Sequence, residues 1–426
     1  MVEKIYRPRI ADDILRRKLE AMGAVLIEGA KACGKTTTAV RQAASVLNMD
    51  DPRHAAQYLQ MADTDPALLL EGETPRLIDE WQTAPKIWDA VRFTVDQRDE
   101  DGQFILTGSA VAADRSDIRH SGTGRFAWMT MRPMTLWESG ESNGKVSLKD
   151  LFLGKAVVGS QNAMTLRSLA NITCRGGWPR AVTRSGERAL AQAQEYYETI
   201  ARQDISRTDG INRNENTARR LLRSYARHQG TQASIETIKA DITASGDNAI
   251  SNTTIETYLA ALRRIFVIED MPAWNPNLRS KTAVRTSDTR YFTDPSVAAA
   301  ALGIGPDDLV GDLATFGLMF ETLAVRDLRV YADALGGNVY HYRDKTGLEC
   351  DAVVHLRNGQ YGLVEIKLGG DRLIAEGVKT LTALAAKIDT DRMREPAFLM
   401  VLAGVAPYAY RRTDGVLVVP LSTLKN

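Results

Sequence analysis

Residues 29–36, Gly29-Ala30-Lys31-Ala32-Cys33-Gly34-Lys35-Thr36, restrict this chain more than any other segment. They match the pattern G-x-x-x-x-G-K-[ST] at every fixed position. The pattern has meaning only between a strand and a helix, and both are legible here. Ala24 to Ile27 is a short apolar run, and a helix is expected from about Lys35 to Leu47. The glycines let successive backbone N–H groups turn inward around phosphate oxygens. The helix N-terminus adds partial positive charge. Lys35 would contact the β- and γ-phosphates and Thr36 would place a hydroxyl on Mg²⁺. Gly29, Ala30, Lys31, Ala32, Cys33, Gly34, Lys35, Thr36 and Thr37 are therefore candidate nucleotide-binding residues, with ATP and Mg²⁺ as cofactors.

Apolar strands at Arg76–Asp79, Phe104–Thr107 and Phe126–Met131 alternate with helical stretches. That alternation predicts an α/β fold with a parallel sheet covered on both faces. Leu77-Ile78-Asp79-Glu80 suits a buried strand whose tip reaches the metal. Asp79 would hold Mg²⁺, directly or through water, and Glu80 would polarise the attacking water. The next strand ends in Thr107-Gly108-Ser109, where either hydroxyl could read the γ-phosphate, with Ser109 ahead. Gly122-Thr123-Gly124-Arg125 puts an arginine on a flexed turn. Arg125 could reach a neighbouring subunit's nucleotide, with Arg115 and Arg119 as rivals.

The order of these parts resembles the AAA+ ATPases. More closely, it is similar to prokaryotic members that carry a C-terminal domain long labelled as of unknown function. GAKACGKTT, RLIDEWQ, FILTGSA, GTGR, RPMTLWE, GGWPRAV, YFTD and YRDKTGLECDAV…VEIK carry the resemblance. It implies ATP hydrolysis and a homo-oligomeric ring, with a hexamer favoured. Cys33 departs from the small or polar residue usual at its place and could make the loop oxidation-sensitive.

Residues 155–210 turn helical and are expected to form a lid. Residues 211–305 hold three helical patterns, at about 215–229, 234–245 and 251–266. Ser251 precedes the third as an N-cap. Thr253, Thr254 and Tyr258 are expected to face outward on that helix, which ends in Arg263-Arg264. The segment has 12 basic and 8 acidic residues over 211–290. Arg279, Lys281, Arg285 and Arg290 would lie on an extended wing touching phosphates. The pattern looks like a winged helix-turn-helix with the third helix as reader. The competing reading is a helical bundle that packs the flanking domains together.

In residues 306–426 the strand 361–367 has period two, so Glu365 and Lys367 point to one side. Asp351 lies on the preceding strand, where a hairpin could bring it to Glu365. Two carboxylates beside a lysine suit a hard cation such as Mg²⁺ or Mn²⁺. Glu321 borders the apolar stripe of an upstream helix and needs a partner. This E…D…E-x-K layout is similar to the PD-(D/E)XK nuclease core. By that resemblance Glu321, Asp351 and Glu365 hold metal and Lys367 serves the water. Glu349 is a spare carboxylate nearby.

The predicted architecture is a P-loop AAA+ core over 1–154, a helical lid over 155–210, a winged-helix module over 211–305 and a restriction-endonuclease-like α/β domain over 306–426. With 54 basic and 53 acidic residues, any nucleic-acid surface must be local. Cys33, Cys174 and Cys350 lie too far apart for a disulfide framework or a zinc site, and a cytoplasmic setting is expected. No secretory signal is expected at the N-terminus. The uncharged stretch Pro396 to Tyr410 is too short for a bilayer, so no membrane partner is expected. Three functions compete: an ATP-driven DNA-processing nuclease, such as a repair exonuclease; an ATP-switched DNA-binding scaffold with a silent nuclease fold; and an ATPase that remodels proteins. Trp81 and Trp137, candidates for a pore contact in the third, read better as core.

Overall fold

The computed structural model describes residues 6–108, 121–155, 163–207, 210–244, 250–275, 287–391 and 393–426. Strands β1 (Ala24–Gly29), β2 (Ser45–Asn48), β3 (Arg76–Asp79), β4 (Phe104–Gly108) and β5 (Phe126–Met131) form a parallel sheet in the order β2-β3-β4-β1-β5. Val25 and Ile27 face one core, beside the helix Ile10–Leu19. Ala24 and Leu26 face the other, beside the helix Lys86–Arg98. A strand covered on both faces carries apolar residues throughout, which is why β1 and β4 read as unbroken runs.

The helix after the glycine loop is shorter than the sequence predicts. It spans Lys35–Val40, and Ser45–Asn48 becomes the edge strand β2, paired with β3. Only Leu47 of that strand is buried, so no periodicity separates strand from helix there.

The short strand β6 (Val146–Ser147) leads into helices at Leu166–Arg175, Pro179–Val182 and Glu187–Thr199. Three more follow at Glu215–Arg227, Ile235–Ala244 and Asn252–Arg264. A ribbon then pairs Ile268 with Phe292 and Met271 with Thr289.

One expectation about this helical module is overturned. Tyr258 does not face outward: it is buried, and its hydroxyl accepts from Asn214 N at 2.9 Å. Arg263, at the end of that helix, donates to Asp270 at 2.9 Å. Arg279, Lys281 and Arg285 lie outside the described residues. Arg290 donates to Ala233 O at 2.7 Å. The ribbon also leans on the C-terminal sheet, where Ala273 bridges His341.

That sheet holds β7 (Gly337–Arg343), β8 (Glu349–Leu356), β9 (Tyr361–Gly369), β10 (Phe398–Val405), β11 (Tyr410–Arg411) and β12 (Leu417–Pro420) in the order β11-β12-β10-β9-β8-β7. β7, β8 and β9 form an antiparallel meander, and β10 and β12 continue in parallel. Val364 and Ile366 pack toward the long helix Leu313–Ala334, and Tyr361 and Leu363 toward the helix Asp371–Lys387. The final strand β13 (Leu424–Lys425) returns to pair with β6. One hydrophobic core runs from the first sheet through the helical region to the C-terminal sheet.

His341 marks the seam between ribbon and sheet. Its Nε2 lies 3.1 Å from Ser287 O and its Nδ1 3.2 Å from Gln232 Nε2, an arrangement that fits a neutral ring donating from Nε2. Burial pushes its pKa down to about 4. As pH falls below the ordinary 6.5, the unfolded chain binds this proton first. Stability carried by neutral His341 is therefore complete above that value and lost as pH falls toward about 4. Melting temperature is expected to decline across this window, and His341→Asn to flatten part of the decline.

Candidate functional site

The glycine loop closes on its own lysine. Lys35 is buried, and its ammonium donates to Gly29 O at 2.9 Å and Ala30 O at 3.0 Å. Gly34 holds the left-handed backbone that turns the chain into the helix. The loop is braced from outside. Arg9 donates to Cys33 O at 2.9 Å, and Lys31 pairs with Asp204 at 3.1 Å. Cys33 is buried, with its thiol donating to Met131 O at 3.3 Å.

Parallel pairing brings the strand tips together. Thr36 Oγ1 donates to Asp79 Oδ1 at 2.9 Å, and Thr107 donates to the same oxygen. A hydroxyl and a carboxylate at the mouth of a phosphate loop are the oxygen donors Mg²⁺ takes, so these residues fit that ion. Of the two hydroxyls proposed at the tip of β4, Thr107 reaches Asp79, and Ser109 lies outside the described residues, as do Arg115 and Arg119. Glu80 adopts a left-handed backbone (φ 56°) directly after β3, a conformation often held under strain at functional sites. Gln82 Nε2 donates to its carboxylate. Arg125 stands beside Ala24, at the opposite end of β5 from the phosphate loop, and pairs with Asp96 at 2.6 Å. It is no part of this chain's own phosphate site. Trp81 is buried and Trp137 is partly exposed under the Lys425 ammonium.

A second constellation lies in the C-terminal sheet. The pairing of β7 with β8 shifts between Tyr340 and Tyr342, so Asp351 and Ala352 together oppose His341. Such a bulge re-aims a side chain. Here Asp351 Oδ2 accepts from Ile366 N at 2.7 Å and from Lys367 Nζ at 2.9 Å. Lys367 Nζ also pairs with Glu365 at 2.7 Å. Burial first, then the charge of Asp351, raises both Glu321 and Glu365 above the usual carboxylate range. Burial would lower the Lys367 ammonium, but Asp351 and Glu365 outweigh it and raise it.

Glu321 joins this cluster electrostatically but bonds elsewhere: Tyr291 donates its hydroxyl to Glu321 Oε1. Among the described residues no three His, Cys, Asp or Glu are grouped to hold a metal ion. The expected trio of Glu321, Asp351 and Glu365 is thus not drawn together, because the Lys367 ammonium ties two of them and Tyr291 holds the third. Its chemistry still fits a hard cation, being all carboxylate oxygen with two members raised by burial and mutual repulsion. Glu349 is exposed and pairs with Arg343 at 2.9 Å, away from the cluster.

Sequence reasoning passed over Arg9, Gln82 and Tyr291. No spacing rule links Arg9 to the site, whereas Gln82 closes the RLIDEWQ segment that holds Asp79 and Glu80. Tyr291 begins the YFTD segment, and that was the available signal.

The family described as an AAA domain matches residues 22–139. Over residues 22–139, which hold the phosphate loop and Asp79, the chain is similar to AAA-type ATPase domains. Two domains of unknown function match further on: DUF8612 over residues 166–308 and DUF4143 over residues 316–424. Two curated proteins, Uncharacterized protein Mb2031c of Mycobacterium bovis and Uncharacterized protein Rv2008c of Mycobacterium tuberculosis, are each 26% identical over 360 residues, covering 83% of this chain and 72% of theirs. The Walker-type ATPase PABY2304 of Pyrococcus abyssi is 15% identical with a TM-score of 0.44, covering 70% of this chain and 97% of that one. Among the described residues no helix is long and apolar enough to cross a membrane.

Proposed function

We propose that this chain hydrolyses ATP in its N-terminal domain and cuts DNA phosphodiesters in its C-terminal one. The meeting of Asp351 and Glu365 on Lys367 carries the second half of this reading. At the ATP site Thr36 and Asp79 would hold Mg²⁺, Glu80 would take the proton of the attacking water, and Gln82 would fix the Glu80 carboxylate. Thr107 or Ser109 would read the γ-phosphate. Arg125 would act on a neighbouring subunit's nucleotide in a homo-oligomeric ring, with a hexamer favoured.

At the C-terminal site Asp351 and Glu365 would hold Mg²⁺ or Mn²⁺, and Glu321 would have to leave Tyr291 to join them. Bound there, the cation supplies charge against the phosphodiester and acidity to a water. Lys367 keeps its proton and orients that water. The helical module, as a winged helix, would grip duplex or branched DNA.

A second reading has one specific observation behind it: Lys367 already joins two of the carboxylates, as in a silent fold used as an ATP-switched scaffold. Nuclease assays on single-stranded, duplex, flapped and branched DNA with Mg²⁺ or Mn²⁺ separate the two. Glu365→Gln is expected to abolish cutting and leave ATP turnover intact. Parent-like digestion by that variant means the assigned site is wrong, and an inert parent favours the scaffold.

A further inference from the structure

The turn after β3 is tightly built. Glu80 stands in left-handed backbone, and its carbonyl accepts from Thr83 N at 3.1 Å and from Thr83 Oγ1 at 2.9 Å. Trp81 is buried and packs on Trp88 with ring centroids 5.3 Å apart. This anchors the turn and lets Gln82 fold back, so that its Nε2 donates to the Glu80 carboxylate.

The other end of that amide is exceptional. Gln82 Oε1 is buried and accepts no hydrogen bond among the described residues. Buried amide oxygens are nearly always bonded, because giving up water without a replacement costs free energy. Gly108 fixes where this oxygen lies. A Cβ added there would come within 2.6 Å of Gln82 Oε1 and 3.3 Å of Trp81 Nε1, so glycine leaves room for the amide. β3 and β4 pair in parallel with Asp79 opposite Thr107. Gly108 lies one residue past that pair, as Glu80 does, at the sheet end where Thr36 and Thr107 share one oxygen of Asp79. Open parallel sheets bind ligands at this end.

A water attacking the γ-phosphorus has two O–H bonds. Glu80 can take the proton of one, and the other needs an acceptor that keeps the water in line. An amide oxygen suits this task because it holds the proton without removing it.

We propose that Gln82 is a catalytic residue, its Oε1 accepting the second O–H of the attacking water while its Nε2 holds Glu80. This rests on the ATP-hydrolysis reading above. In the step, the water oxygen bonds the γ-phosphorus, and the bridging oxygen leaves on ADP with the electron pair of its bond. Glu80 takes one proton, and the proton held by Gln82 stays with the phosphate.

Turnover at saturating ATP and ADP binding by calorimetry, both with Mg²⁺, are measured on the full-length protein. Gln82→Ala removes the amide, and Gly108→Ala displaces it. Each is expected to lower kcat about 10–100-fold, the cost of a reactant held out of line, with the ADP Kd within about twofold of the parent. In a Gln82→Ala background Gly108→Ala should add less than about twofold, because its methyl no longer meets the amide. A kcat that falls less than about 10-fold in Gln82→Ala, an equal drop in ADP affinity, or losses that multiply in the double variant overturns the proposal. Should Gly108→Ala melt early, the kcat and Kd of Gln82→Ala decide alone. A parent that turns over no ATP, or a Glu80→Gln variant that turns over like the parent, overturns the hydrolysis reading, and this proposal falls with it.

Discussion

Lys35→Ala is expected to lower ATP turnover by about 10²–10³-fold, the usual cost of removing one preorganised donor from developing transition-state charge. Lys35 sits at the first turn of the helix Lys35–Val40, with its ammonium already inside the loop on Gly29 and Ala30 carbonyls. Swinging from those carbonyls to phosphate oxygens keeps its hydrogen bonds and adds opposite charge, so the exchange favours nucleotide. Alanine leaves the loop backbone but removes the cation. Phosphate release by purified variant and parent, at saturating ATP, is the measurement. Turnover within about threefold of the parent means that hydrolysis does not pass through this loop. Whether DNA cutting survives in the same variant then shows whether the two sites are coupled.

Arg326→Ala is expected to destabilise the protein by about 3–5 kcal/mol, the range for removing one member of a buried ion group. Arg326 is almost fully buried and donates to Asp294 at 2.8 Å and to Asp327 at 2.7 Å. Neither acid is idle otherwise: Gly177 N donates to Asp294 and Leu136 N to Asp327, both at 2.9 Å. Truncation would strand two carboxylates with one counter-charge gone and no water to replace it. Lysine cannot rescue this fully, since one ammonium does not reproduce the guanidinium fork. Urea unfolding at neutral pH measures the loss. A change under about 1 kcal/mol, typical of surface pairs, would mean that solvent reaches the cluster.

That cluster also shows where sequence reading stopped. RPMTLWE, GGWPRAV and YFTD stand out as motifs but carry no chemistry of their own. In the fold they converge: Leu136, Gly177 and Asp294 all meet around Arg326 and Asp327. No one-dimensional pattern links positions 136, 177, 294 and 326, because the bonds between them join separate elements. Tyr258 failed for a related reason: an amphipathic pattern shows that a face is buried but not how wide it is, and packing against Asn214 turned the tyrosine inward. The edge strand β2 was lost because four residues with one buried side chain have no measurable period.

The sequence by itself determined the phosphate loop, the acidic strand tip beside it, the period-two placing of Glu365 with Lys367, and the neighbouring strand that carries Asp351. Those features are local: glycine spacing, alternation and apolar runs act within a few residues. Tertiary structure alone decided that Thr107 joins Thr36 on Asp79, that a bulge turns Asp351 onto Lys367, and that Tyr291 reaches Glu321. Each of these contacts is fixed by strand register or helix packing between distant segments, and such energies exist only once the chain has closed on itself.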